Sequence, residues 1–141
     1  MTFRTTLKLQ LAYILFAILY NLVSIISSHL GLDALTPTNP ISGIVFMLAV
    51  GLGVYLGFRR FYRLYGGVML FALAVITYGG VFTHFMQLFS SDFPTGYASE
   101  ASWAIAILIN LVGLVTGFIG CIQALHNIKL NAPRKINVQA Q

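Results

Sequence analysis

The chain has 141 residues, of which 58% are hydrophobic and 8% are charged, and its mean hydropathy is +0.87. This composition excludes an ordinary water-soluble domain and predicts a single membrane domain over residues 1–141. A formal net charge of +5 would suggest nucleic acid in a soluble protein. Because the basic residues flank long apolar runs, we expect the lipid bilayer as the partner and no nucleic acid.

The first apolar run covers roughly residues 9–30, long enough to cross a bilayer, which needs about 20 mostly apolar residues. It follows a basic start, as in a secretory signal. It is long for a signal, and no small-residue cleavage site follows, so we expect a retained helix. Small and polar residues recur in it at steps of three and four, which places them on one helix face: Ala17, Asn21, Ser24 and Ser28.

The second run, at about residues 41–58, follows a loop with two prolines and carries Gly53 and Gly57 as a G-x-x-x-G pair. In lipid, helices associate through close backbone approach and hydrogen bonds, so these glycines are expected to pack against other helices. The joint to the third run mixes aromatic residues with Arg59, Arg60 and Arg63. This mixture suits the headgroup layer and predicts a tight helical hairpin turn.

The third run, at about residues 66–89, places Thr77, Gly80, His84 and Gln87 on one predicted face. A loop rich in turn-forming residues follows. Tyr97 and Trp103 near its far end fit an aromatic belt at the membrane surface.

The fourth run, at about residues 102–126, carries Asn110 and a glycine stripe made of Gly113, Gly117 and Gly120, which we expect to be a packing surface. Cys121 is the only cysteine, so no intrachain disulfide forms. A polar, basic tail occupies residues 127–141.

Charge is segregated between the joints that connect these runs. All eight Lys and Arg residues lie on one side, and all three acids lie on the other: Arg4, Lys8, Arg59, Arg60, Arg63, Lys129, Arg134 and Lys135 against Asp33, Asp92 and Glu100. Short loops rich in Lys and Arg stay in the cytoplasm during insertion. We therefore predict an all-α, four-transmembrane-helix bundle with both termini cytoplasmic, in the plasma membrane (the inner membrane of a bacterium).

Two asparagines fall at the same predicted depth. Asn21 and Asn110 both lie roughly 13 Å below the outer surface, at 1.5 Å of rise per residue. An amide in hydrocarbon is expected to find a hydrogen-bonding partner, so the two are candidates for pairing with each other and setting helix register.

His84 is an ionisable residue about one and a half turns inside the third predicted span, whereas His29 and His126 lie at span ends, and this depth makes His84 a candidate for function. Three interpretations stay open: a structural hydrogen bond, proton or ligand handling, and, together with His29, ligation of a metal ion or a haem iron. No spacing of histidines on one helix forces them to converge, and no cofactor is predicted from a motif.

No spacing typical of a hydrolase and no phosphate-binding loop is present, which argues against an enzyme. The leading hypothesis is a non-enzymatic accessory subunit or scaffold that packs with itself or with other membrane subunits through its glycine-lined faces. A second hypothesis is an oligomeric transporter or channel for a small solute. Its polar path would be lined by Asn21, Thr77, His84, Gln87 and Asn110. A third is an outer-leaflet haem- or metal-binding protein that uses His29 and His84. A scaffold predicts a closed, dry interior, whereas a transporter predicts a polar cavity at His84.

Overall fold

A computed structural model describes residues 1–89 and 94–131 of the chain. Within these ranges the fold is helical, without strands, and consists of α1 Phe3–His29, α2 Pro40–Phe58, α3 Tyr62–Phe89 and α4 Glu100–Leu130. Each helix is long and apolar enough to cross a membrane. The predicted helical fold with four candidate membrane spans is thereby confirmed. Asp92, Arg134 and Lys135 lie outside the described residues.

Helices α1 and α4 begin before their apolar runs, and a polar side chain caps the first turn of each. Helix α1 begins at Phe3, where the Thr2 hydroxyl accepts a hydrogen bond from the Thr5 N–H at 3.2 Å. Helix α4 begins with a capping box between Ser99 and Ser102. These caps satisfy N–H groups that have no partner within the helix, so hydropathy alone underestimates helix length.

The four helices form an antiparallel bundle in which α1 packs on α2 and α4, and α3 packs on α2 and α4. The start of α1 meets the end of α4, where the Thr6 hydroxyl donates to Gln123 Oε1 at 2.7 Å and Gln123 Nε2 donates to the Met1 carbonyl at 3.0 Å. One end of the bundle therefore gathers the described Lys and Arg residues and is called the basic end. The opposite end, with Asp33 and Glu100, is called the acidic end.

The half of the bundle nearer the basic end is closely packed around a buried polar bridge. Gln10 Nε2 donates to the Tyr65 hydroxyl and to the Thr116 carbonyl, both at 2.9 Å, and the Tyr65 hydroxyl donates to Gln10 Oε1 at 3.1 Å. The bridge joins α1, α3 and α4. Surrounding it are buried apolar side chains, including Leu7, Val54 and Met69.

The glycines that the sequence marked as packing surfaces each lie against a side chain of another helix. Their neighbours are Val68 for Gly53, Leu7 and Tyr65 for Gly57, Tyr13 for Gly113, Leu73 for Gly117, and Tyr65 with Gln10 for Gly120. A Cβ atom at any of these positions would overlap its neighbour. The missing side chains therefore let aromatic and amide groups of one helix reach the backbone of the next.

Helix α3 is not a uniform α-helix. It is α-helical over Tyr62–Val75, π-helical over Ile76–Phe82 and α-helical again over Thr83–Met86, and it ends in a short 3₁₀ turn. The Thr83 hydroxyl donates to the Tyr78 carbonyl five residues earlier at 2.8 Å. The wider π-helical turns change the direction in which the following side chains point. The residues from Thr77 to Gln87 that regular spacing placed on one face therefore do not share a face.

Candidate functional site

A chamber of about 350 Å³ lies in the acidic half of the bundle, between all four helices and the loop that follows α1. The loop contributes Thr36, Thr38 and Asn39 to its wall. The helices contribute Ala17, Tyr20, Asn21, Ser42, Gly43, Phe46, Met47, Val75, Ile76, Gly79, Gly80, His84, Ala106, Ile109 and Asn110. None of these lining residues is Asp, Glu, Lys or Arg, so the wall carries no permanent charge.

The chamber lies between α2 and the π-helical segment of α3, which pack mainly on different helices. The segment Ile76–Phe82 contacts α4, while α2 makes its largest contact with α1. Gly79 and Gly80 lie in this segment and line the chamber. The π-helical segment of α3 therefore forms part of the chamber wall. Such segments often occur at functional sites.

Asn21 and Asn110 both line the chamber, but they bond to backbone groups rather than to each other. Asn21 Nδ2 donates to the Ala17 carbonyl at 2.8 Å. Asn110 Nδ2 donates to the Ala106 carbonyl at 2.9 Å and to the Gly80 carbonyl at 3.1 Å. The mutual bond expected from equal depth is therefore replaced by bonds to backbone carbonyls, two of them within the same helix and one from α4 to α3.

Each asparagine also lies against a glycine of the adjacent helix. A Cβ at Gly43 would come within 2.7 Å of Asn21 Oδ1, and a Cβ at Gly80 within 2.8 Å of Asn110 Oδ1. Neither Oδ1 atom accepts a hydrogen bond from the described residues. These two amide oxygens therefore remain available to a donor.

His84 is only 4% exposed and is held by residues from the next loop and from α4. Its Nδ1 shares a hydrogen bond with the Tyr97 hydroxyl. The Trp103 indole N–H donates to the His84 backbone carbonyl at 2.8 Å. Burial raises the pKa of Tyr97 to about 12. Nε2 has no partner among the described residues, and the ring lines the chamber.

Sequence reasoning assigned Tyr97 and Trp103 to an aromatic belt and did not connect them with His84. Tyr20 was also missed. Its hydroxyl reaches the Leu35 carbonyl at 2.7 Å and the Ser102 carbonyl at 2.8 Å, tying the loop after α1 to the start of α4. In the sequence these aromatic residues appear only as amphipathic side chains beside the polar helix faces. That position does not identify the group to which each one hydrogen-bonds.

The remaining candidates lie away from the chamber. Thr77 is exposed and its hydroxyl donates to the Leu73 carbonyl at 2.7 Å, while Gln87 is half-buried in the final turn of α3. His29 is exposed and lines a separate groove with Ser28. Within residues 1–89 and 94–131, no three His, Cys, Asp or Glu side chains come together. Ligation of haem or metal by His29 and His84 stays a prediction.

The chamber is chemically suited to a small uncharged molecule with an apolar body. Its volume falls within the range of ligand pockets, about 300–1,000 Å³. Most of the wall is apolar, while two amide oxygens and one imidazole nitrogen provide a few directional contacts, the usual composition of a specific small-molecule site. Comparisons with protein-family models, with curated proteins and with solved structures find no match to this chain.

Proposed function

We propose that this chain is a multi-pass membrane protein that binds a small, neutral, amphipathic molecule in the chamber. The observation that carries the proposal is that Asn21, Asn110 and His84 line one uncharged cavity, while Asn21 Oδ1, Asn110 Oδ1 and His84 Nε2 have no hydrogen-bond partner among the described residues. Buried polar groups in proteins are usually hydrogen-bonded, so polar atoms left open beside a cavity are candidate binding groups. The ligand would donate to the amide oxygens and place its apolar part against Phe46 and Ile109.

Binding is favoured over conduction by the packing below the chamber. Between the chamber and the basic end lie buried side chains, among them Ile14, Val50, Tyr65 and Met69. A continuous path would require the helices to separate there. Of the polar residues assigned to such a path, Asn21, His84 and Asn110 belong to the proposed site, while Thr77 and Gln87 do not.

The proposed orientation places the basic end in the cytoplasm and the chamber in the outer leaflet of the plasma membrane, the inner membrane if the host is a bacterium. This follows from the segregation of Lys and Arg to one end of the bundle. A ligand would then reach the chamber from the outside or from the outer leaflet.

The proposal can be tested by native mass spectrometry of the protein released from mild detergent. The wild-type protein is expected to retain a small neutral molecule, and Asn21→Leu and Asn110→Leu are expected to lose it. Asn127→Leu is the matched control, because Asn127 also donates to a carbonyl four residues earlier, at 2.9 Å, but lies at the basic end. If all three variants retain the small molecule equally, the side-chain amides of Asn21 and Asn110 do not take part in binding it.

Access to the chamber is tested separately with single cysteines in a Cys121→Ala background. Ala106 lines the chamber, whereas Leu108, on the same helix, is 62% exposed on the outer surface of the bundle. Ala106→Cys is expected to react with a small uncharged methanethiosulfonate, and Leu108→Cys to react slowly because lipid suppresses the thiolate. An unreactive Ala106→Cys, together with a wild-type protein that retains no small molecule, would refute binding in the chamber.

A second candidate function, a non-enzymatic accessory subunit, is favoured by glycines that this chain leaves uncovered. Gly51, Gly66 and Gly67 have open space where a Cβ would lie. Such positions let a helix of a second copy or of another membrane subunit approach closely. Under this proposal, Gly51→Leu and Gly67→Leu would keep the bundle's thermal stability but lose a subunit that co-purifies with the wild-type protein.

A further inference from the structure

The turn between α2 and α3 contains an arginine where such turns usually contain glycine. The Phe61 N–H donates to the Leu56 carbonyl and the Arg60 N–H donates to the Gly57 carbonyl, each at 3.0 Å. This pattern is the Schellman motif, in which the residue after the cap adopts a left-handed conformation. Here that residue is Arg60, with φ of 63°.

A side chain in the left-handed region costs free energy that glycine would not. Strained positions of this kind cluster at binding sites, where the side chain is needed in a particular place. Gly66 and Gly67 follow shortly after, so the segment is not poor in glycine. The guanidinium group that arginine carries at position 60 is therefore a candidate for a binding role.

Arg60 lines a groove of about 440 Å³ at the basic end, between this turn and the last turn of α4. Its lining includes two arginines and an asparagine together with aromatic and aliphatic residues. The lining residues are Arg60, Phe61, Tyr62, Arg63, Leu64, Ile128 and Asn131. The groove thus combines cationic donors with an apolar wall at the level where a membrane helix meets the headgroup layer.

The positive charge of this groove has no counter-charge nearby within the described chain. The described acids, Asp33 and Glu100, lie at the opposite end of the bundle. Arg60 and Arg63 are both exposed. An anion from outside the protein is therefore the natural partner of the two guanidinium groups, which bind phosphate oxygens in a planar, bidentate geometry.

We propose that this groove binds one anionic phospholipid. Arg60, Arg63 and Asn131 contact its phosphate group, and an acyl chain lies along Leu64 and Ile128. Charge complementarity selects an anionic headgroup, and the apolar wall selects a lipid over a soluble phosphate. This site is separate from the chamber, which lies in the other half of the bundle, so either proposal can fail without the other.

The experiment titrates delipidated full-length protein with phosphatidylglycerol or phosphatidylcholine and counts bound lipids by native mass spectrometry. Wild-type protein is expected to bind one phosphatidylglycerol in preference to phosphatidylcholine. Arg60→Gly and Arg63→Gln are each expected to weaken that binding about tenfold, the effect of losing one charge-assisted hydrogen bond. Arg60→Gly also removes the backbone strain, so its melting temperature without lipid should equal or exceed that of the wild type.

Arg59→Gln is the matched control, because it removes the same charge from the same turn. The Arg59 guanidinium lies 6.0 Å from the centre of the Tyr55 ring, and Arg59 does not line the groove. Its variant should bind phosphatidylglycerol within about twofold of the wild type. Equal losses in Arg59→Gln and Arg60→Gly would overturn the proposal in favour of nonspecific charge. Displacement by inorganic phosphate at the concentration of the lipid would show a site for a soluble anion instead.

Discussion

Buried polar side chains in this apolar bundle are hydrogen-bonded, with one exception among the described residues. Thr6, Gln10 and Tyr65 are almost fully buried, and each bonds to a group on another helix. Among the described residues the exception is Tyr13, whose hydroxyl is buried without a partner while its ring lies over Gly113. A hydrogen-bonding group without a partner destabilises the folded state by the cost of its desolvation.

Tyr13→Phe should therefore raise the melting temperature of the purified protein, because it removes the unpaired hydroxyl and keeps the ring. The gain is expected to be about 1 kcal/mol in the free energy of unfolding. Tyr65→Phe is the control and should lower stability by a similar amount, since its hydroxyl bonds to Gln10 in both directions. Destabilisation of equal size in both variants would mean that the Tyr13 hydroxyl has a partner in solution.

The two ring nitrogens of His84 have separate roles that substitutions can distinguish. Asparagine can keep the contact that Nδ1 makes with Tyr97, whereas glutamine places its amide nearer the position of Nε2. If Nε2 serves a ligand, His84→Asn should fold normally and retain less small molecule, while His84→Gln should retain more than His84→Asn. Equal retention by both variants and the wild type would leave His84 with only a structural role.

Among the helices, α3 departs most from the prediction. A regular α-helix would have placed Thr77 and His84 on one face, but the π-helical turn between them leaves Thr77 exposed and His84 buried. The other helices keep one period where their small residues lie, since the glycines of α2 and α4 are in unbroken helical turns: Gly53, Gly57, Gly113, Gly117 and Gly120. One change of helical period is therefore enough to alter which residues line the site.

Helix packing at the basic half should be sensitive to one methyl group. Gly120→Ala would drive a Cβ into the Tyr65 hydroxyl and Gln10 Nε2, breaking the bridge that joins three helices. We expect a loss of about 2–4 kcal/mol in unfolding free energy. Gly51→Ala, in the open space on α2, should be neutral or slightly stabilising. Similar melting temperatures for the two variants would argue against close packing at Gly120.

The whole molecule is polarised along its axis, with a packed basic half and an acidic half that holds the chamber. This arrangement separates the closely packed contacts from the chamber along the axis of the bundle. It also allows the loop after α1 to cover the chamber, held by the Tyr20 hydroxyl and by the Ser24 hydroxyl, which accepts from the Leu35 N–H at 3.1 Å.

The proposed orientation predicts a difference in labelling between the ends of the bundle. In a Cys121→Ala background, Asp33→Cys should react with a membrane-impermeant maleimide on intact cells. Arg59→Cys should react only after the membrane is permeabilised, because basic turns remain in the cytoplasm. The reverse pattern would place the chamber on the cytoplasmic side and contradict the orientation.

The sequence by itself determined the number of spans, their approximate limits and the segregation of charge. These depend on local quantities, namely the length of each apolar run and the cost of moving Lys or Arg through lipid. It also indicated Asn21, His84 and Asn110, because polar groups stand out against an apolar background.

Only the tertiary structure decided what these residues contact. Asn21 and Asn110 lie against glycines of neighbouring helices, and Tyr97 and Trp103 hold His84 from the loop after α3 and from α4. Each contact depends on how a helix is rotated and how closely its neighbour approaches. Rotation and approach are set by side-chain packing across the whole bundle and by the extra width of the π-helical turn, neither of which a hydrophobic pattern encodes.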